Sequence, residues 1–290
     1  MFYLEGFDML SRSDEEDFLS HDPRSKQTCY TTKYPFNIFR YRELPPFDFE
    51  PVTIFYGGNG SGKSTILNVI AEKLHIRRGA VYNRSDFFDD YVSRCRFYTA
   101  RGKDVPPNSR IITSDDVFDF LLDLRCINNG VDTQRAKMLE EYSRNRYERH
   151  RLNSLDEYED WRRKTEPQAK TKSRFLRDNL MSNVKERSNG ESALYYFTDA
   201  IKADALYLLD EPENSLCAAR QLDLKKFIED SVRFYKCQFI ISTHSPFLLS
   251  MDGAKIYDLD SAPPAEKKWT ELENVRTYYD FFVDHKNEFE

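Results

Sequence analysis

Apolar positions in this chain gather into short runs near both ends and thin out in the middle. Near the N-terminus Phe2-Tyr3-Leu4 and Phe36-Asn37-Ile38-Phe39-Arg40-Tyr41 read as strands, with Ser11 to Lys33 between them as a polar loop. Pro45-Pro46 interrupts the chain, and Val52-Thr53-Ile54-Phe55-Tyr56 is a continuous apolar run of the kind a strand buried on both faces shows. Beyond the glycine-rich stretch that follows, Ile66, Leu67, Ile70, Ala71 and Leu74 recur at helical spacing.

From about Arg84 to Arg187 the pattern loosens. Val105-Pro106-Pro107-Asn108-Ser109 reads as a turn, Arg110-Ile111-Ile112-Thr113 as a strand, and Asp116 to Arg125 as a helix that stops at Asn128-Asn129-Gly130. A charged helix to about Trp161 and a looser stretch from Pro167 to Ser173 follow, with apolar positions too sparse for sustained heptads. Order returns with a helix from Ala193 to Ala200 and the strand Ala205 to Leu209. A helix carrying Leu224, Phe227, Ile228 and Tyr235 on one face comes next, then the strand Gln238 to Ser242 and a final strand from Lys255 to Leu259. Leu272, Val275, Tyr279 and Phe282 mark a C-terminal amphipathic helix. Strands alternating with helices predict an α/β fold with a largely parallel sheet, and no internal repeat is present.

Composition narrows this picture. With 40% hydrophobic and 32% charged residues over 290 positions, the chain has the makings of a folded core. No stretch approaches the roughly 20 apolar residues that span a bilayer. Met1 to Leu10 runs into Asp14-Glu15-Glu16-Asp17 rather than into a secretory signal, so a cytoplasmic location without direct membrane insertion is expected. Cys29, Cys95, Cys126, Cys217 and Cys237 are scattered and odd in number, which argues for ordinary thiols over a disulfide framework or a zinc site. The net charge of −6 is uneven: residues 133–187 hold 15 basic against 10 acidic side chains. Such a segment suits contact with nucleic acid, or is a solvated helical face.

Gly57-Gly58-Asn59-Gly60-Ser61-Gly62-Lys63-Ser64-Thr65 fits G-x-x-x-x-G-K-[ST] between an expected strand and an expected helix, the context that gives the pattern meaning. Four of the ten glycines fall in this loop, where a backbone free of Cβ atoms can curl its N–H groups around phosphate. Lys63 would face the outer phosphates and the Ser64 hydroxyl would hold Mg²⁺. The strand from Ala205 ends in Asp210-Glu211-Pro212; Asp210 is placed to hold Mg²⁺ and Glu211 to act as general base toward water.

With these two motifs in place, Glu211-Pro212-Glu213-Asn214-Ser215-Leu216 resembles the extended Walker B and D-loop of the ABC ATPase superfamily, in its soluble DNA-repair and SMC-like branch. Ser242-Thr243-His244-Ser245-Pro246 is similar to its switch segment, with His244 following Asp210 by 34 residues as a γ-phosphate sensor would. Ser188-Asn189-Gly190-Glu191 resembles the signature motif, with Asn for Gly and Glu for Gln; read without the family it is a turn and helix cap. The chain as a whole looks like small stand-alone bacterial ATPases labelled "AAA family ATPase".

The resemblance implies a P-loop NTPase with an ABC ATPase-like core, carrying N-terminal antiparallel strands and a helical lobe between the Walker A and signature motifs. The division expected is 1–83, 84–187 and 188–290. ATP and Mg²⁺ are the implied cofactors. Gly57 to Thr65 would bind nucleotide, Lys63, Glu211 and His244 would serve catalysis, and Ser188 and Gly190 would reach the nucleotide of a second subunit in an ATP-dependent homodimer. No glutamine lies between Gln27 and Gln134, so the family's Q-loop position falls to Ser114 or Asp115. The aromatic that packs on adenine falls to Phe36, Phe39 or Tyr41. Three roles fit these motifs: an ATPase head acting on nucleic acid or gating an effector such as a nuclease or toxin, in DNA maintenance or phage defence; a regulatory nucleotide switch; or the ATPase subunit of a membrane transporter.

Overall fold

The computed structural model describes residues 3–39, 42–100, 103–147, 171–179 and 189–289. They fall into two compact units, residues 1–118 with 189–290, and residues 119–188.

The first unit is built on a sheet of order β5-β6-β7-β3-β8-β9. β3 (Val52–Tyr56), β5 (Arg110–Thr113), β6 (Leu206–Asp210), β7 (Gln238–Ser242) and β8 (Lys255–Asp258) run parallel, and β9 (Ala265–Glu266) closes the edge antiparallel to β8. Every residue of β3 and β7 is buried, which is why these strands read as unbroken apolar runs rather than alternating ones. Ile54 and Phe55 are each fully buried, worth about 2–3 kcal/mol apiece. Because β6, β7 and β3 are neighbours, their carboxyl ends open side by side, where parallel sheets bind ligands. A small antiparallel sheet joins β1 (Leu4–Asp8) to β2 (Phe47–Asp48) and β4 (Arg96–Thr99), giving the expected N-terminal antiparallel strands. Residues 84–118, read from the sequence as part of the intervening lobe, lie in this unit, since β4 pairs with β1 and β5 with β6.

Several local expectations change. Residues 11–33 were expected as loop, yet α1 (Arg12–His21) forms there: the Ser11 hydroxyl caps the Asp14 N–H, and Asp14 and Glu15 favour the positive end of the helix. Its apolar side chains are too few to show helical periodicity. Phe36–Phe39 is a turn rather than a strand, with Asn37 at φ 68°; Phe36 and Phe39 are both buried instead of alternating. α4 (Ser114–Tyr147) runs straight through Asn128-Asn129-Gly130, where a stop was expected. A cost of about 1 kcal/mol for a helical glycine is small beside the length of this helix.

α4 begins in the first unit and continues as the main element of the second. There Tyr142 and Phe175, the latter on α5 (Lys172–Asn179), are buried against one another with ring centroids 5.5 Å apart. In the first unit α6 (Asn189–Ala200) precedes β6, α7 (Ala218–Tyr235) precedes β7, α8 (Pro246–Leu249) follows it, and α9 (Glu273–Asp284) lies near the end. Leu224 and Ile228 of α7 and Val275 of α9 are buried, whereas Tyr235, Tyr279 and Phe282, placed on the same apolar faces by their spacing, are more than half exposed.

Candidate nucleotide site

β3 leads directly into the glycine loop, and α2 (Lys63–Lys73) leads out of it. Gly60 and Gly62 adopt φ 80° and 98°, a left-handed backbone that a Cβ would strain. At Gly62 a Cβ would also strike the ring of Phe39. Phe39 therefore supports the loop from within the core, and Phe36, stacked 4.9 Å from Phe18, is walled in as well. Neither ring is free to receive a base. Tyr41, the third candidate, lies outside the described residues.

Lys63 is almost fully buried, and its Nζ donates to the carbonyls of Gly57 (2.8 Å) and Gly58 (3.1 Å). The Glu211 Oε1 stands 3.5 Å from the same ammonium. The Ser64 hydroxyl donates to Asp210 Oδ1 at 3.1 Å, and Ser242 at the end of β7 donates to that oxygen at 2.7 Å. Burial, opposed by these two bonds and by Lys63, pushes the Asp210 carboxyl above the usual range. Glu211 takes a left-handed conformation (φ 48°), and its Oε2 accepts from Asn214 Nδ2 at 3.0 Å. Gly57, Ser61 and Thr65 are buried while Gly58, Asn59 and Gly60 are exposed at the mouth of the loop. The Thr65 hydroxyl is engaged by Tyr34 at 3.3 Å.

His244 emerges from β7, and a cavity of about 400 Å³ is lined by it together with Gly57, Gly58, Asn59, Asp260 and Asn274. Lys63, Ser64, Asp210, Glu211 and His244 thus come from three adjoining strand ends. Gly190 sits elsewhere, on the first turn of α6: a Cβ there would meet Arg220 Cγ at 3.7 Å and the Ser215 carbonyl at 3.9 Å, and nothing of the glycine loop. Ser188 lies outside the described residues. At the Q-loop position the residue facing Asp210 across the β5–β6 pair is Thr113. The Asp116 carboxylate turns back to the Thr113 N–H (2.8 Å) and hydroxyl (2.9 Å), leaving Ser114 half-buried and Asp115 exposed.

Two residues in this neighbourhood had no assigned role in the sequence reading. Asp260, just past β8, accepts the Gly58 N–H at 2.7 Å; an acid at the carboxyl end of a parallel strand was the available signal. Glu213 is buried and accepts from the Thr243 hydroxyl (2.6 Å) and the His244 N–H (2.9 Å).

The donor set fits a nucleotide with Mg²⁺. The glycine backbone and Lys63 suit phosphate oxygens, and Lys63 now rests on its own loop's carbonyls, contacts a phosphate would replace. Ser64 and Asp210 supply two oxygens; Mg²⁺ characteristically draws its remaining ligands from water and phosphate. Among the described residues no group of three or more His, Cys, Asp or Glu side chains is assembled to hold a metal alone.

A parallel sheet of this order, with a glycine loop after one strand and paired acids after another, defines a P-loop NTPase of the ABC ATPase kind. Residues 48–214, more than half of the chain, match the ABC transporter family, and the chain belongs to that family. No curated protein sequence matches it. Among solved structures it is similar to the Smc head domain with an extended coiled coil bound to the C-terminal domain of ScpA from Pyrococcus furiosus (13% identity, TM-score 0.44, covering 99% of this chain and 100% of that one). It is also similar to a putative metal-chelate type ABC transporter (19%, 0.37, 82% and 82%) and to the SMC head domain from Thermotoga maritima (15%, 0.39, 77% and 92%).

Proposed function

We propose that this chain binds ATP with Mg²⁺, hydrolyses it, and dimerises when ATP is bound. The observation that carries this reading is the convergence of Lys63, Ser64, Asp210, Glu211 and His244 from the ends of β3, β6 and β7. Lys63 and the loop N–H groups hold the phosphates, and Ser64 and Asp210 hold the metal, which supplies charge neutralisation when bound. Glu211 orients and deprotonates water once phosphate has drawn Lys63 away from it. Ser188 and Gly190, by the family resemblance, complete the site of a second subunit; a Cβ at Gly190 would meet Arg220 and Ser215 and no atom of its own glycine loop within 4 Å, which supports that role.

The biological work assigned to this turnover is action on nucleic acid, or gating of an effector protein, in DNA maintenance or phage defence. The D-loop sequence Glu213 to Leu216 and the basic excess of residues 133–187 support it. Among the described residues no helix is long and apolar enough to cross a membrane, so the transporter reading would need a spanning segment outside them.

The test is Glu211→Gln. ATP binding should persist while turnover falls by about 100-fold or more, and size-exclusion chromatography should show an ATP-dependent shift to dimer. A monomer at every nucleotide concentration would overturn the dimer.

A further inference from the structure

Glu213 presents an energetic problem. Its side chain is 5% exposed, and burying a carboxylate costs several kcal/mol unless a counter-charge meets it. Its Oε1 accepts from two neutral donors, Thr243 Oγ and the His244 N–H, and its Oε2 has no hydrogen-bond partner. Among the described residues the one basic group within ion-pair range is the His244 ring, whose Nδ1 lies 3.4 Å from Oε1.

The backbone at His244 is held from both sides. The backbone of His244 donates to Glu213, and its carbonyl accepts from Asn274 Nδ2 at 3.1 Å. With Nδ1 toward the carboxylate, Nε2 has no hydrogen-bond partner among the described residues. His244 borders two cavities: that beside the glycine loop also contains Asp260 and Glu273, and an aromatic groove of about 450 Å³ contains Glu213. Three carboxylates and no lysine or arginine line the two.

We propose that Glu213 is a positioning residue for hydrolysis: it holds His244 with Nδ1–H against its carboxylate and balances an imidazolium whose Nε2–H is left to meet the terminal phosphate. A carboxylate beside Nδ1 keeps a proton on that nitrogen, so a neutral ring would offer only a lone pair at Nε2, and lone pairs repel phosphate oxygens. Donation from Nε2 requires the second proton, and Glu213 supplies the compensating charge, as a carboxylate orients and stabilises histidine in hydrolytic triads. This inference rests on the ATPase reading above.

Glu213→Gln is the informative variant, because the amide oxygen can still accept from Thr243 and His244 while the charge is gone. In the full-length protein kcat should fall about 10- to 100-fold, with ATP affinity within about twofold of wild type. Placed on His244→Ala, the same change should cost nothing further. Histidine-selective ¹⁵N NMR of ATP-bound Glu211→Gln protein should show both His244 ring nitrogens protonated, and adding Glu213→Gln should restore a neutral ring. An unchanged kcat, an equal loss in the His244→Ala background, or a neutral ring with Glu213 intact would each overturn the proposal. A wild-type protein that binds ATP without hydrolysing it would instead overturn the ATPase reading, while the ring signature would still report on Glu213.

Discussion

The two compact units use their sequence differently. In the first, β3, β6 and β7 are apolar almost throughout, and each ends on a residue or loop of the candidate site. In the second, residues 119–188, burial of described side chains is thin: Leu121, Val131, Tyr142 and Phe175 fall below a tenth exposed, while Leu122 and Ile127 of the same helix stand about half exposed. A dense core holds opposing groups to fractions of an ångström, as the 3.1 Å Ser64–Asp210 contact requires, because chemistry loses rate steeply with misplacement. A long polar helix offers no such precision, but it carries many charges at little cost. The difference separates a unit with a dense core, which carries the candidate site, from one whose described side chains are sparsely buried.

The comparison breaks most decisively at Lys63. Lys63→Ala removes the ammonium that would face the phosphates, and ATP affinity should fall by about 100-fold or more in a titration with fluorescent nucleotide. Normal affinity would remove the first unit's claim to the chemistry.

A mixing experiment asks whether the site is shared between chains. Ser188→Arg should block closure without disturbing its own glycine loop, so Ser188→Arg and Lys63→Ala proteins, each inactive, should recover activity together. Random pairing with independent sites limits the recovery to about a quarter of wild-type turnover. Normal hydrolysis by Ser188→Arg alone would reduce the signature-like segment to a turn.

The second unit's role is tested by reversing Arg144, Arg146, Arg149 and Arg151 to Glu. If this stretch follows a nucleic-acid backbone, affinity should drop and the slope of log affinity against log salt should flatten by up to about four, with basal ATPase unchanged. Absence of DNA or RNA binding by the wild type at low salt would retire the idea.

The smallest effect concerns thiols. Burial pushes Cys95 up to about 12 and Cys237 to about 11, so both stay protonated and inert at pH 8, whereas Cys29, Cys126 and Cys217 are exposed. Ellman's reagent should titrate three thiols in the folded protein and the other two only on unfolding.

Much of the first unit was legible because its signals are local. β3, β5 and β7 match the expected strands residue for residue, since an apolar run buried on both faces needs no partner to be recognised. At residues 36–39 a distant partner decided the outcome. Phe36–Phe39 has strand-like composition, but Phe36 packs on Phe18 and Tyr91 and Phe39 against Gly62, which bends the segment into a turn. The exposed aromatics of α9 show that amphipathic spacing states that a face exists and not that anything covers it.

By itself the sequence determined the phosphate loop, the paired acids and the strand that leads to His244, because backbone freedom at glycine and strand-end placement are written into consecutive residues. Only the tertiary structure decided how those pieces answer one another. Asp260 reaches Gly58 across 202 positions, Ser64 reaches Asp210 across 146, and Glu213 reaches His244 across 31. Such contacts depend on strand order, β6 beside β7 beside β3, and that order follows from burying several apolar strands at once rather than from any one segment.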